Sequence, residues 1–215
     1  MPVRKIPKNY RNVTGIAAYR KAEGQAMFES TLERDFITLL EFDPIVDSFE
    51  VQPMKIDWYG NGRNRTYTPD LLVYYTQPRY PTTLYEVKYR SDLKENWPEL
   101  KPKFKAARAY AKEKGWKFKL VTEREIRTPY LENARFLMSY VNKGPVSETD
   151  MDILDEAINK LEHTTPTQLL GDIYQDEWNR AKLLPTLWYL IGIRHIATDL
   201  TKKLSMSSPI WRLNA

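Results

Sequence analysis

The stretch YTPDLLVYYTQPRYPTTLYEVKYR, Tyr67 to Arg90, sets the reading of the whole chain. Its two apolar runs, rich in β-branched and aromatic residues, are of strand length. Charged residues stand at their ends: Asp70, Glu86 and Lys88. Asp70 and Glu86 are 16 residues apart, so two adjacent antiparallel strands bring them to one edge of a sheet. Glu86 and Lys88 are i and i+2 on one strand and share a face, while Val87 points the other way, into the core. Two close carboxylates repel each other unless a cation lies between them. Mg²⁺ suits that place, because it takes oxygen ligands and keeps several waters, and Mn²⁺ can substitute. Lys88 would then orient a water or steady negative charge on a phosphate. The structural alternative is a cross-strand ion pair on an exposed face.

The flanks read as regular elements. In ESTLERDFITLLEFDP, Leu32, Phe36, Leu39 and Leu40 recur at helical spacing, and Pro44 ends the pattern. Ser30 is placed as N-cap, with Glu33 as its capping-box partner. DSFEVQP alternates as a strand. MKIDWYGNGRNRTYTPDLLVYY predicts two strands around the turn YGNGRN, and TTLYEVKY a third, forming a meander. ELKPKFKAARAYAKEKG predicts an amphipathic helix closed by Gly115, and WKFKLVT a strand. A helix crossing between the strands of Glu86 and Leu120 implies parallel pairing. EREIRTPYLENARFLMSYV predicts short helical pieces. The fold class is α/β, a mixed sheet flanked by helices.

Residues 1–25 carry Arg4, Lys5, Lys8, Arg11, Arg20 and Lys21 against the single acid Glu23, and read as a basic arm. The sheet-bearing domain is expected over 26–143, and NKGPVSE reads as a linker. From 144 to 215, three helices followed by two strands around TKKLSMSS form a winged-helix-like pattern.

Net charge is +5, but it divides unevenly: +8 over Met1–Pro145 and −3 over Val146–Ala215. The basic part suits a polyanion such as DNA. There are no cysteines, which excludes thiolate metal sites and cysteine nucleophiles. No apolar run approaches the ~20 residues that span a bilayer. The first fifteen residues lack a signal-peptide core, so a cytoplasmic protein without membrane association is expected. His163 and His195 have no serine–acid partners at triad spacing. GNGRNR lacks the Lys-Ser/Thr pair of a phosphate loop and reads as a turn.

Pro69-Asp70 and Glu86-Val87-Lys88 together resemble the motif of the PD-(D/E)xK nucleases, whose fold is that of the restriction endonucleases. The acid-bearing ESTLERDF, the EVQP segment with Gln52, YTPDLLV, YEVK and KLVTEREI narrow the likeness. Residues from about 25 to 130 resemble TnsA, the endonuclease subunit of heteromeric cut-and-paste transposases. That family also carries a C-terminal winged helix. The resemblance implies a catalytic set of Glu33, Asp70, Glu86 and Lys88. It implies Mg²⁺ held by Asp70, Glu86, the Val87 carbonyl and Glu33. It implies cutting of double-stranded DNA at the 5′ ends of a transposon, beside an integrase-type transposase that cuts the 3′ ends and an AAA+ regulatory ATPase. A stand-alone restriction or repair nuclease, and a non-catalytic DNA-binding adaptor, are the alternatives. Whether Glu29 or Glu33 faces the metal stays open, and Glu33 has the capping role as its competitor. Gln52 is expected to be structural or near the site.

For DNA contact the candidates are Arg63 and Arg65 beside the hairpin turn, and Lys101, Lys105, Arg108 and Lys112, one stripe of the following helix. Solvated surface is the alternative for each. Trp97, Trp116, Trp178, Trp188 and Trp211 are expected in the core. The acidic C-terminal part points to docking on a protein partner, with Lys202 and Lys203 as local DNA contacts.

Overall fold

The computed structural model describes residues 15–17, 19–60, 62–145 and 147–213. They fall into two compact units that divide between Arg127 and Thr128.

The first unit begins with β1 (Gly15–Ala17) and β2 (Ala26–Phe28), an antiparallel pair. Then come α1 (Thr31–Phe42), β3 (Val46–Val51), β4 (Ile56–Gly60), β5 (Arg63–Tyr67), β6 (Leu71–Tyr75) and β7 (Thr83–Val87). α2 (Arg90–Glu113), β8 (Lys117–Val121) and α3 (Glu123–Ile126) complete it. The main sheet has the order β3-β6-β7-β8. β7 and β8 run parallel, as the crossover through α2 requires, and the other pairs are antiparallel. Central β7 is buried at every position, so helices cover both faces of the sheet there. On one face Leu72 and Leu84 pack with Ile56 and Tyr67 of the hairpin and Ala107 of α2. On the other, Phe36 of α1 meets Tyr85 with ring centroids 5.0 Å apart. Phe49 of β3 has no exposed surface, and truncating such a side chain to alanine costs about 3–5 kcal/mol.

Three expectations change. The meander is interrupted: β4 and β5 form a separate ribbon, and β6 instead pairs with β3. The end of the basic arm is built into the fold. Phe49 N–H donates to the Lys21 carbonyl and Glu23 N–H to the Phe49 carbonyl, both at 2.9 Å. Arg4, Lys5, Lys8 and Arg11 lie outside the described residues. The helix after the motif begins at Arg90, before the predicted start, and contains Pro98 and Pro102. Both prolines are exposed and one turn apart, so the carbonyls left without partners can turn to water.

The second unit holds α4 (Pro129–Val141), α5 (Glu148–Leu161), β9 (His163–Thr164), α6 (Pro166–Ile173), α7 (Glu177–Gly192), β10 (Ile196–Thr198) and β11 (Ile210–Arg212). Ser147, Thr165 and Asp176 cap α5, α6 and α7 through their side chains. The strands form one antiparallel sheet in the order β10-β11-β9, which adds β9 to the ribbon expected from sequence. α4 belongs here, so the division falls before it and not at Gly144. Phe136 of α4 packs edge-on to Trp188 of α7 at 5.3 Å. Gly192 lets the two helices approach, since a Cβ there would lie 2.5 Å from Val141 Cγ2. Asn133 of α4 donates to the Leu200 and Lys202 carbonyls at 2.9 and 2.7 Å and accepts from Leu204 N–H at 3.0 Å.

The tryptophans divide. Trp188 is buried, but Trp97 is 44% and Trp178 73% exposed, so two of the expected core residues stand at the surface. His195 Nε2 lies 2.6 Å from Asp155 Oδ1, an ordinary partly exposed pair. Among the described residues no helix is long and apolar enough to cross a membrane.

Candidate active site

The site lies at the β6–β7 edge of the sheet. Asp70 stands just before β6, where Gln52 N–H donates to its backbone carbonyl at 2.8 Å. Its Oδ2 accepts the Val87 N–H at 2.7 Å. Lys88 leaves the end of β7 but stays tied to β8, donating its N–H to the Val121 carbonyl at 3.1 Å. Strand parity puts Glu86 on the same face as Leu84, beneath α2, and only 1% exposed. Val87 points the opposite way into the core, as read from sequence. A cleft of about 540 Å³ opens over Asp70, Glu86 and Lys88. The hairpin contributes Trp58 and Arg65 to its wall, and α2 contributes Glu99 and Lys103.

The Lys88 ammonium stands among three oxygens. It is 3.4 Å from Asp70 Oδ2, 3.1 Å from Glu86 Oε1 and 3.0 Å from the Val87 carbonyl. These are the oxygens that the motif assigns to a metal. An acid pair and a carbonyl already gathered around one cationic group fit a hard divalent ion. Among the described residues no group of three His, Cys, Asp or Glu side chains converges on a point. Two carboxylates and one backbone carbonyl stand around the ammonium.

Burial and the neighbouring Glu86 carboxylate push Asp70 up to about 8, against the pull of Lys88. Burial alone would lower Lys88, but Asp70 and Glu86 outweigh it and hold the ammonium above its usual range. Burial, and then Glu86, raise the Tyr67 phenol, which stays protonated and donates to Glu86.

The two helix-side acids differ. Ser30 Oγ donates to Glu33 Oε1 at 2.9 Å, and Glu29 N–H donates to Oε2 at 2.8 Å. Ser30 in turn caps α1 by accepting from Glu33 N–H. Glu33 is therefore part of the helix start. It is also close enough to Asp70 and Lys88 to act on both electrostatically, and burial raises its carboxyl. Glu29 lines the cleft itself and accepts from Gln52 Nε2 at 3.1 Å. Gln52 has φ 50°, a left-handed conformation uncommon outside glycine, and its Oε1 is buried without a partner.

Arg65 lies over the Trp58 ring at 5.6 Å with its Nε buried and unpartnered, while Arg63 is exposed at the hairpin end. Lys101, Lys105, Arg108 and Lys112 are all exposed, on a flank of α2 about a quarter turn from the buried Phe104, Ala107 and Ala111. Sequence reasoning gave no site role to Tyr67 or to Lys103, one of the basic residues of α2. Lys103 did carry a signal, since it is out of phase with the stripe and adjoins the apolar face of its helix.

A mixed sheet between helices, with an acid, an acid and a lysine at one strand edge, defines the first unit as a restriction-endonuclease-like domain. Two family models match the chain: TnsA-like endonuclease N terminal over residues 43–123, and TnsA endonuclease C terminal over 125–200. Together they take in most of the chain, which belongs to the TnsA endonuclease family and is a DNA endonuclease of the hydrolase class. Glu29 and the whole of α1, Glu33 included, precede the matched span. No curated protein matches the chain.

Proposed function

We propose that the chain is the Mg²⁺-dependent endonuclease subunit of a transposase, hydrolysing the phosphodiester at the 5′ ends of a transposon. The observation that carries this reading is the gathering of Asp70, Glu86 and the Val87 carbonyl around one ammonium in an open cleft. Those oxygens would hold the ion. When bound, it supplies Lewis acidity toward a phosphoryl oxygen and a water. Tyr67 keeps Glu86 oriented. Lys88, once its oxygens have another cation, is free to orient the attacking water or steady charge on the phosphate. Glu33 adds negative charge from the helix side, and Glu29, oriented by Gln52, faces the cleft. Arg65 and the exposed stripe of α2 hold the DNA backbone.

The partners in this reading are a 3′-end-cutting, integrase-type transposase and an AAA+ regulatory ATPase. The Val146–Ala215 segment, at −3, docks on one of them. Its Lys202 and Lys203, exposed before β11, offer local DNA contacts. The test is 5′-strand cutting of labelled transposon-end DNA by the full chain with its transposase partner and Mg²⁺ or Mn²⁺. Cutting that persists in chelator, or in Asp70→Ala and Lys88→Ala, refutes the reading.

A further inference from the structure

Glu86 is more fully occupied than a single-lysine motif requires. Its carboxylate takes the Tyr67 hydroxyl, Lys88 Nζ at 3.1 Å and Lys103 Nζ at 3.4 Å. A buried carboxylate needs one cation for neutrality. This one has two. The second comes from α2, which covers the face of the sheet on which Glu86 lies. Its ammonium sits 4.9 Å from the Tyr67 ring centroid and 5.2 Å from that of Phe104, an aromatic bed that holds a cation in place. The Lys103 side chain is 22% exposed and lines the cleft, unlike Lys101 and Lys105 on the outer face.

We infer that Lys103 is a second substrate-contacting lysine, which leaves Glu86 for the scissile phosphate when a divalent cation enters the site. This rests on the metal-nuclease reading above. The argument is one of charge. With both carboxyls ionised, as a bound cation requires, Asp70 and Glu86 are balanced by Lys88 and Lys103, and these four groups are neutral together. A divalent cation brought to the same oxygens leaves the set with two positive charges. A phosphodiester brings one negative charge and an attacking hydroxide brings another. As the new P–O bond forms and the bond to the leaving oxygen breaks, the reacting group stays a dianion, so the set is neutral with diester and hydroxide together and keeps one positive charge with the diester alone. The site is thus matched in charge to the attacked diester, hydroxide included, and not to the diester alone. Lys103 has the freedom for this exchange. Its ammonium is held to Glu86 at 3.4 Å, longer than the 3.1 Å of Lys88, and its side chain already lines the cleft.

Two measurements on the full chain test the exchange. The first is Mn²⁺ binding by calorimetry without DNA. The second is single-turnover cutting at saturating Mn²⁺ with the transposase partner present. Lys103→Met removes a cation that competes for Glu86, so it should bind Mn²⁺ more tightly, on the order of tenfold. It should also cut slower, on the order of a hundredfold. Lys103→Arg should stay near wild type in both. Lys103→Gln replaces the methionine variant if thermal unfolding shows that variant to be misfolded. A merely structural lysine would leave the metal affinity where it was. Unchanged or weaker Mn²⁺ binding by Lys103→Met, or cutting within about threefold of wild type, overturns the inference and leaves the metal-nuclease reading intact. A wild-type chain that takes up no Mn²⁺ overturns both.

Discussion

Asp70 and Val87 are joined by a 2.7 Å hydrogen bond from the Val87 N–H to Asp70 Oδ2. It fixes the acid against the strand that carries Glu86 and leaves Oδ1 for another partner. Asp70→Asn can still accept that N–H, so the fold should persist. The charge needed to hold a metal is gone, and cutting should fall by at least about a thousandfold. Single-turnover cutting, with a thermal melt to confirm folding, checks this. Near-normal cutting would mean that Asp70 is not a ligand.

Lys88→Met should abolish cutting and also expose the repulsion that its ammonium masks. Asp70 and Glu86 would then face each other with the Lys103 ammonium still in contact with Glu86. The melting midpoint in chelator should drop below that of wild type, and Mg²⁺ should raise it by more than it raises wild type. Equal Mg²⁺ effects on the two proteins would contradict the arrangement.

A pH profile follows from Asp70, whose carboxyl is pushed up to about 8 by burial and Glu86, with Lys88 and Glu33 also facing it. The folded chain keeps a proton that the unfolded chain releases near the ordinary carboxylate value of about 4. Between these two values the unfolded state binds fewer protons, so stability falls as pH rises. Without divalent metal the melting midpoint should decline from about pH 5 to 8, and Mg²⁺ should restore most at the upper end, where its binding has least proton to displace. Asp70→Asn should flatten much of that slope. A slope identical in the two proteins assigns it to other groups.

Glu33→Gln separates two roles. The amide can still accept from Glu29 N–H and face Ser30, so the start of α1 should survive with a melting change within about 1 kcal/mol. If the Glu33 charge matters to the site, cutting should nonetheless fall on the order of a hundredfold. A small rate effect with a large stability loss would make Glu33 a capping residue only.

The exposed stripe of α2 should act through the phosphate backbone. Replacing Lys105 and Arg108 together by glutamine should weaken DNA binding whatever the sequence, and lower the slope of log affinity against log salt by about 1–2. Fluorescence anisotropy across a salt series measures this, and an unchanged slope would return the stripe to solvated surface.

Local order was legible in the chain because it is written at short range. The period of Leu32, Phe36 and Leu40 marked α1, Ser30 its cap, and alternation through Glu86 and Lys88 their common face. The crossover through α2 required the parallel β7–β8 pairing. What depends on distant partners was not legible. The paired β4–β5 residues do not reveal that the ribbon leaves the main sheet and walls the cleft. The Gly144 linker is a local signal, but α4 was assigned to the second unit by Asn133 and by the close approach at Gly192. Trp97 and Trp178 are apolar enough for a core, yet among the described residues they stay 44% and 73% exposed, Trp97 with one face against Phe104.

By itself the sequence determined a mixed sheet, a basic first part and an acid–acid–lysine edge, because spacing along a strand sets which side chains share a face. Only the tertiary structure decided the rest: that Glu86 is buried between Tyr67, Lys88 and Lys103, that Glu29 faces the cleft, and that the Lys88 ammonium stands among Asp70, Glu86 and the Val87 carbonyl. Those relations join residues of separate elements. They are set by how the hairpin and α2 pack over one face of the sheet, which no local pattern encodes.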